Sequence, residues 1–70
     1  MNIDGILIDW LGHDCFRIIA DNKTVYIDPF NIHHDSKKAD FVFVTHEHFD
    51  HCSIDDIKKV ISSNTVIVSI

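Results

Sequence analysis

The sequence predicts an α/β fold in which antiparallel hairpin strands lead into a β-α-β unit. Three observations carry this. Residues 15–20 and 24–28 place apolar side chains on alternate positions either side of Asp21-Asn22-Lys23, the pattern of a β-hairpin. Phe41-Val42-Phe43-Val44 is wholly apolar, as in a strand buried on both faces. Ile54, Ile57, Val60 and Ile61 then share one helical stripe ahead of the β-branched run 65–70. Strand, helix and strand make a unit whose two strands run parallel with a right-handed crossover.

Each element has a local reason. Residues 6–11 form an apolar run broken by Asp9 and read as the first strand. In 15–20, Phe16, Ile18 and Ala20 share a face; in 24–28, Val25 and Ile27 do, with Tyr26 opposite. Asp21-Asn22-Lys23 supplies turn chemistry. Asp28-Pro29 ends the return strand, because proline donates no ladder hydrogen bond. Residues 31–40 are polar and read as a loop. Ser53 is placed to N-cap a helix over 54–62 with Asp56 at N3, a capping box, and Asn64 is a stop. Trp10, Phe16, Phe41 and Phe43 are expected in the core, with Lys37-Lys38 and Lys58-Lys59 as solvated pairs. Cys15 is expected to be a strand packing residue.

Composition bounds the function. The chain has 70 residues, enough for one small core and not for two domains. Hydrophobic residues make up 46% and charged residues 24%, which excludes a disordered or low-complexity chain. No apolar run approaches the roughly 20 residues that span a bilayer. The net charge of -5 argues against a nucleic-acid or anionic-membrane surface and favours bound cations. Two cysteines, Cys15 and Cys52, make no disulfide framework, and Met1-Asn2-Ile3-Asp4 is no basic leader, so the cytoplasm is the expected compartment.

The chemistry gathers in His46-Glu47-His48-Phe49-Asp50-His51. In an extended segment His46 and His48 share a face, and Asp50 continues the alternation. His51 joins them if the backbone turns there, as the helix start requires. A strand end opening into a helix is where α/β sheets place ligand sites. Three imidazoles and a carboxylate suit Zn, Fe or Mn rather than Ca.

This stretch resembles the His-x-His-x-Asp-His signature of the metallo-β-lactamase fold superfamily. Trp10-Leu11-Gly12-His13 with Phe16-Arg17-Ile18, and Val25-Tyr26-Ile27-Asp28-Pro29-Phe30, resemble the opening and the strand end of one branch. That branch holds proteins similar to L-ascorbate-6-phosphate lactonase and to N-acyl-phosphatidylethanolamine-hydrolysing phospholipase D. The resemblance runs from about Ile6 to Ile70. It implies an αββα sandwich, of which residues 1–70 are the N-terminal part of one incomplete domain. It also implies a metal-dependent hydrolase with two divalent ions, zinc first, with manganese or iron as alternatives. His46 and His48 would bind one ion, and Asp50 and His51 the other. A hydroxide held between them would attack a lactone or phosphodiester-type small molecule, with Asp50 holding a proton of the attacking water. A β-lactam is not implied, since the name describes a fold and a metal site.

Two residues outside the motif join the expected site. Asp28 is read as orienting a ligand histidine, or as a strand-terminal aspartate. His13 is read as lining the site mouth, or as a turn residue after Gly12. His33 and His34, adjacent in the chain, are expected to be exposed, and Cys52 to be a small buried residue. The family draws further ligands from later in the chain, and no histidine follows His51. The 70 residues alone are therefore expected to be a poor catalyst. The alternative is a non-catalytic metal-binding or structural module. Self-association through the edge strand 65–70 is a further expectation.

Overall fold

The computed structural model describes residues 1–33, 35–45 and 53–69. Six strands form one mixed sheet in the order β1-β2-β3-β4-β5-β6. They are β1 (Asn2–Ile3), β2 (Ile6–Trp10), β3 (Phe16–Ala20), β4 (Lys23–Ile27), β5 (Phe41–Val44) and β6 (Val66–Ser69), with helix α1 (Ile54–Val60) between the last two. The first four strands pair antiparallel, and β4, β5 and β6 run parallel. The hairpin strands and the parallel strand-helix-strand unit stand as the sequence predicts.

The turns follow from short polar residues. Asp21 and Asn22 both adopt left-handed backbone, at φ 50° and 63°, and Ala20 pairs with Lys23 across them. A two-residue hairpin matches strand twist only with both central residues at positive φ, which Asp and Asn tolerate. Asp4 and Gly5 repeat the device, at φ 50° and 84°, and so create β1, a strand the hydrophobic pattern does not reveal. Ser53 caps α1 as expected. Its hydroxyl oxygen accepts from the Asp56 N–H and its O–H donates to the Asp56 carboxylate at 2.8 Å. The helix stops at Val60, short of the predicted 62, with Ile61 extended.

The two faces of the sheet differ. On one face Tyr26, Val42 and Val44 pack with Ile57 and Val60 of α1 and with Ile32, Ala39 and Cys15. The loop 31–40, though polar in sequence, contributes two of these buried side chains. Tyr26 donates its O–H to the Lys37 carbonyl at 2.7 Å, which satisfies its polar tip.

The other face is open. The register sets Trp10, Phe16, Ile27, Phe43 and Val68 in one row across β2 to β6, and Ile8, Ile18, Val25, Phe41 and Val66 in the next. Trp10 is 67% exposed and Phe16, Phe41 and Phe43 are nearly two-fifths exposed. This corrects two expectations: the four aromatics are not core, and β5 is buried on one face only. The physical reason is that α1 and the loop 31–40 both lie against the Tyr26–Val42 face, and no described element lies against the other.

Candidate functional site

The metal motif residues His46, His48, Asp50 and His51 lie outside the described residues, as do Glu47, Cys52 and His34. The described chain supplies the two ends between which the motif runs, Thr45 and Ser53, and each end is held by an aspartate.

Asp28 holds the first end. It follows β4, is 3% exposed and takes φ 50°. Its N–H donates to the Phe43 carbonyl at 2.8 Å, which carries the β4–β5 ladder one step further. Its carboxylate then accepts from both donors of Thr45, the N–H at 2.7 Å and the hydroxyl at 2.6 Å. Hydrogen bonds to a charged acceptor are among the stronger ones. Asp28 therefore fixes the residue immediately before His46. The reading of Asp28 as orienting a ligand histidine concerns residues outside the described set.

Asp56 holds the second end. Its carboxylate accepts from Ser53 Oγ at 2.8 Å, Lys59 Nζ at 2.9 Å, Asn31 N–H at 2.9 Å and Ile32 N–H at 3.1 Å. Burial pushes its pKa up, but the bonds from Lys59, Ser53, Asn31 and Ile32 outweigh it, and the carboxyl titrates below its ordinary range. Lys59 also donates to the Ile32 carbonyl at 2.9 Å, so it is no solvated residue, against expectation. Asp28 and Asn31-Ile32 belong to one short stretch of chain. That stretch ties down Thr45 at one end and, through Asp56, Ser53 at the other. Sequence reasoning found the capping role of Asp56 and missed its loop partners, which lie 24 and 25 residues away.

His13 sits in a tight connection between β2 and β3. Gly12 and His13 take φ 104° and 49°, and the Cys15 N–H donates to the Gly12 carbonyl at 2.9 Å. The His13 carbonyl accepts from the Trp10 indole N–H at 2.7 Å. Its ring stands edge-on to Phe30, centroids 4.7 Å apart. His13 is exposed, sits in the turn and packs against Phe30 in the segment that follows Asp28. Cys15 is fully buried and free, and burial pushes its thiol pKa up. It is a packing residue and no nucleophile. His33 is exposed.

A cavity of about 280 Å³ opens beside the Asp56 clasp, lined by Leu11, Arg17, Asn31, Ile32, His33 and Ser36. Arg17 donates to Asp9 at 2.7 Å across β2 and β3. Among the described residues no three His, Cys, Asp or Glu side chains gather as a metal set, and no helix is long and apolar enough to cross a membrane.

Known proteins resemble the chain in sequence and fold. The chain is 39% identical over 70 residues to a UPF0173 metal-dependent hydrolase of Thermoplasma acidophilum, covering 90% of this chain and 30% of that protein. It is 37% identical over 60 residues to one from Koribacter versatilis, covering 73% of this chain and 26% of that one. A crystal structure assigned as a metal-dependent hydrolase from Parabacteroides distasonis superposes with a TM-score of 0.84 at 31% identity, over 89% of this chain and 30% of that chain. The chain thus spans under a third of the length of these relatives. The family model described as "Beta-lactamase superfamily domain" matches residues 7–69, so the chain belongs to the metallo-β-lactamase superfamily and is related to the UPF0173 metal-dependent hydrolases.

Proposed function

We propose that these residues carry the N-terminal share of the metal site of a hydrolase. His46 and His48 serve one divalent ion, and Asp50 and His51 a second. The donor set fits: three neutral imidazoles and a carboxylate are the ligands zinc takes in hydrolytic sites, with manganese and iron as alternatives. A metal bound there would polarise a carbonyl or phosphoryl oxygen and acidify water. The substrate class is a lactone or phosphodiester-type small molecule.

The observation that best supports this reading is the pair of aspartate clasps. Asp28 accepts both Thr45 donors one residue before His46, and Asp56 gathers Ser53, Asn31 and Ile32 two residues past His51. A metal loop needs its ends fixed so that few conformations are lost when ligands converge. In this frame Asp50 serves as ligand and holds a proton of the attacking water. Asp28 sets the entry of the loop, and the exposed His13 ring, lodged on Phe30, stands at the mouth.

Calorimetric zinc titration of the chain, with His46→Ala and His48→Ala beside it, is the test. Wild-type binding that both substitutions weaken at least tenfold supports the reading. Wild-type binding that neither changes would move the ligands elsewhere and end it.

A further inference from the structure

The loop 31–40 grips α1 at both ends, and Lys59 takes part at each. At the start of the helix, the Asn31 and Ile32 N–H groups donate to the Asp56 carboxylate at 2.9 and 3.1 Å. At its end, the Ala39 N–H donates to the Val60 carbonyl at 2.7 Å, and Lys38 Nζ donates to the Lys59 carbonyl at 2.8 Å. The Lys59 side chain turns back along the helix. Its Nζ lies 2.9 Å from Asp56 Oδ1, one turn earlier, and 2.9 Å from the Ile32 carbonyl. Lys59 therefore bonds to the beginning of the loop by its side chain and to the end of the loop by its main chain.

We propose that Lys59 is a positioning residue of the metal site, acting through Asp56 on the Ser53 end of the metal loop; the proposal rests on the hydrolase reading above. Asp56 is 5% exposed. Among the described donors to its carboxylate, Ser53, Asn31, Ile32 and Lys59, only Lys59 is charged. Exposed ion pairs contribute little, but a buried carboxylate deprived of its counter-ion is costly. Without the Lys59 ammonium, the Asp56 carboxylate must take up a proton or turn toward water. Either change weakens its hold on the Ser53 hydroxyl, and the Ile32 carbonyl loses the Lys59 bond in the same step. Ser53 stands two residues past His51, so the slack reaches the metal loop. Groups behind the ligands set metal affinity in this way, by holding the ligands in the geometry the ion needs.

The sign of the effect separates positioning from simple charge. Removing a lysine takes the net charge of -5 further negative, which by long-range attraction favours a bound cation. Positioning predicts the reverse at Lys59. Lys58, exposed on the same helix, is the control.

The test is calorimetric zinc titration of the chain at neutral pH, with circular dichroism confirming that each variant is folded, so that affinity is read apart from stability. Lys59→Met should bind zinc about tenfold more weakly than wild type. Lys58→Met should match wild type or bind slightly more tightly. The double variant Lys59→Met with Asp56→Asn should stay within about twofold of Asp56→Asn alone, because both changes act on one carboxylate. Zinc binding that His46→Ala weakens and Lys59→Met leaves unchanged overturns this proposal and leaves the hydrolase reading standing. So does an equal loss in Lys58→Met, or a Lys59→Met loss that adds in full to that of Asp56→Asn. Wild-type binding that is absent, or that His46→Ala and His48→Ala leave unchanged, ends both. If Lys59→Met does not fold, Lys59→Gln carries the same comparison, since it keeps a donor for the Ile32 carbonyl and removes the charge.

Discussion

Asp28 answers for two donors at once. Its replacement by alanine removes the carboxylate that accepts from the Thr45 N–H and hydroxyl and places at φ 50° a residue whose side chain makes no local hydrogen bond. Asp28→Ala should cost about 2–3 kcal/mol of unfolding free energy, and Thr45→Val, which loses the hydroxyl bond to Asp28, about 1 kcal/mol. Asp28→Asn keeps a residue that tolerates left-handed backbone and so separates charge from strain. Urea unfolding of both single variants and the double should return a coupling of about 1 kcal/mol; full additivity would mean that the two side chains do not share a bond. Asp56 makes a pH prediction. Its folded pKa lies below the ordinary aspartate value of about 3.8. Its stabilisation is therefore complete above that value and is lost as pH falls through the folded pKa. Relative to wild type, Asp56→Asn should lose most stability above pH 4, and the gap should close in stronger acid. A gap independent of pH would refute the ionised clasp. Of these residues the sequence shows Asp28 at a strand end and Asp56 at N3. It does not show what each carboxylate grips, because those partners are set by tertiary approach.

The elements divide in the same way. The β3–β4 hairpin is legible because alternation and Asp-Asn turn chemistry agree over ten residues. β1 goes unseen because two residues carry no period, although Asp4-Gly5 is itself a hairpin signal. Helix α1 is legible from its stripe and its cap, and ends early because Ile61 takes up extended backbone on the way to β6. β5 misleads: Phe41-Val42-Phe43-Val44 reads as buried on both sides, while the structure covers only the Val42 and Val44 face. An all-apolar strand reports that both faces prefer burial, and not what will bury them. The cap can be tested at this scale. Ser53→Ala removes the acceptor for the Asp56 N–H and one donor to its carboxylate, and should lower stability by about 1–2 kcal/mol. Ser53→Thr should recover most of it. Thermal unfolding followed by far-UV circular dichroism measures both, and a neutral Ser53→Ala would mean that α1 is held by Ile57 and Val60 alone.

For the molecule as a whole, metal binding and folding should be one equilibrium. The ends of the motif belong to different parts of the fold. Thr45 is fixed by Asp28 after β4, and Ser53 by Asp56, whose carboxylate also holds the loop at Asn31 and Ile32. An unfolded chain keeps none of these clasps, so an ion that joins His46 and His48 to Asp50 or His51 binds the folded state in preference. Preference for the folded state stabilises it by about 2.7 kcal/mol when free ligand is 100 times its dissociation constant. In a domain of this size each kcal/mol moves the melting temperature by about 4–8 °C. Zinc at 100 times the calorimetric constant should therefore raise the melting temperature of wild type by roughly 10–20 °C. His46→Ala and His48→Ala should show little rise at the same concentration. Asp28→Asn should bind more weakly, since its loosened Thr45 leaves more conformations of the loop to be lost on binding. A zinc shift unchanged in Asp28→Asn would show that the ligands organise themselves around the ion without the frame. The clasps would then serve stability alone.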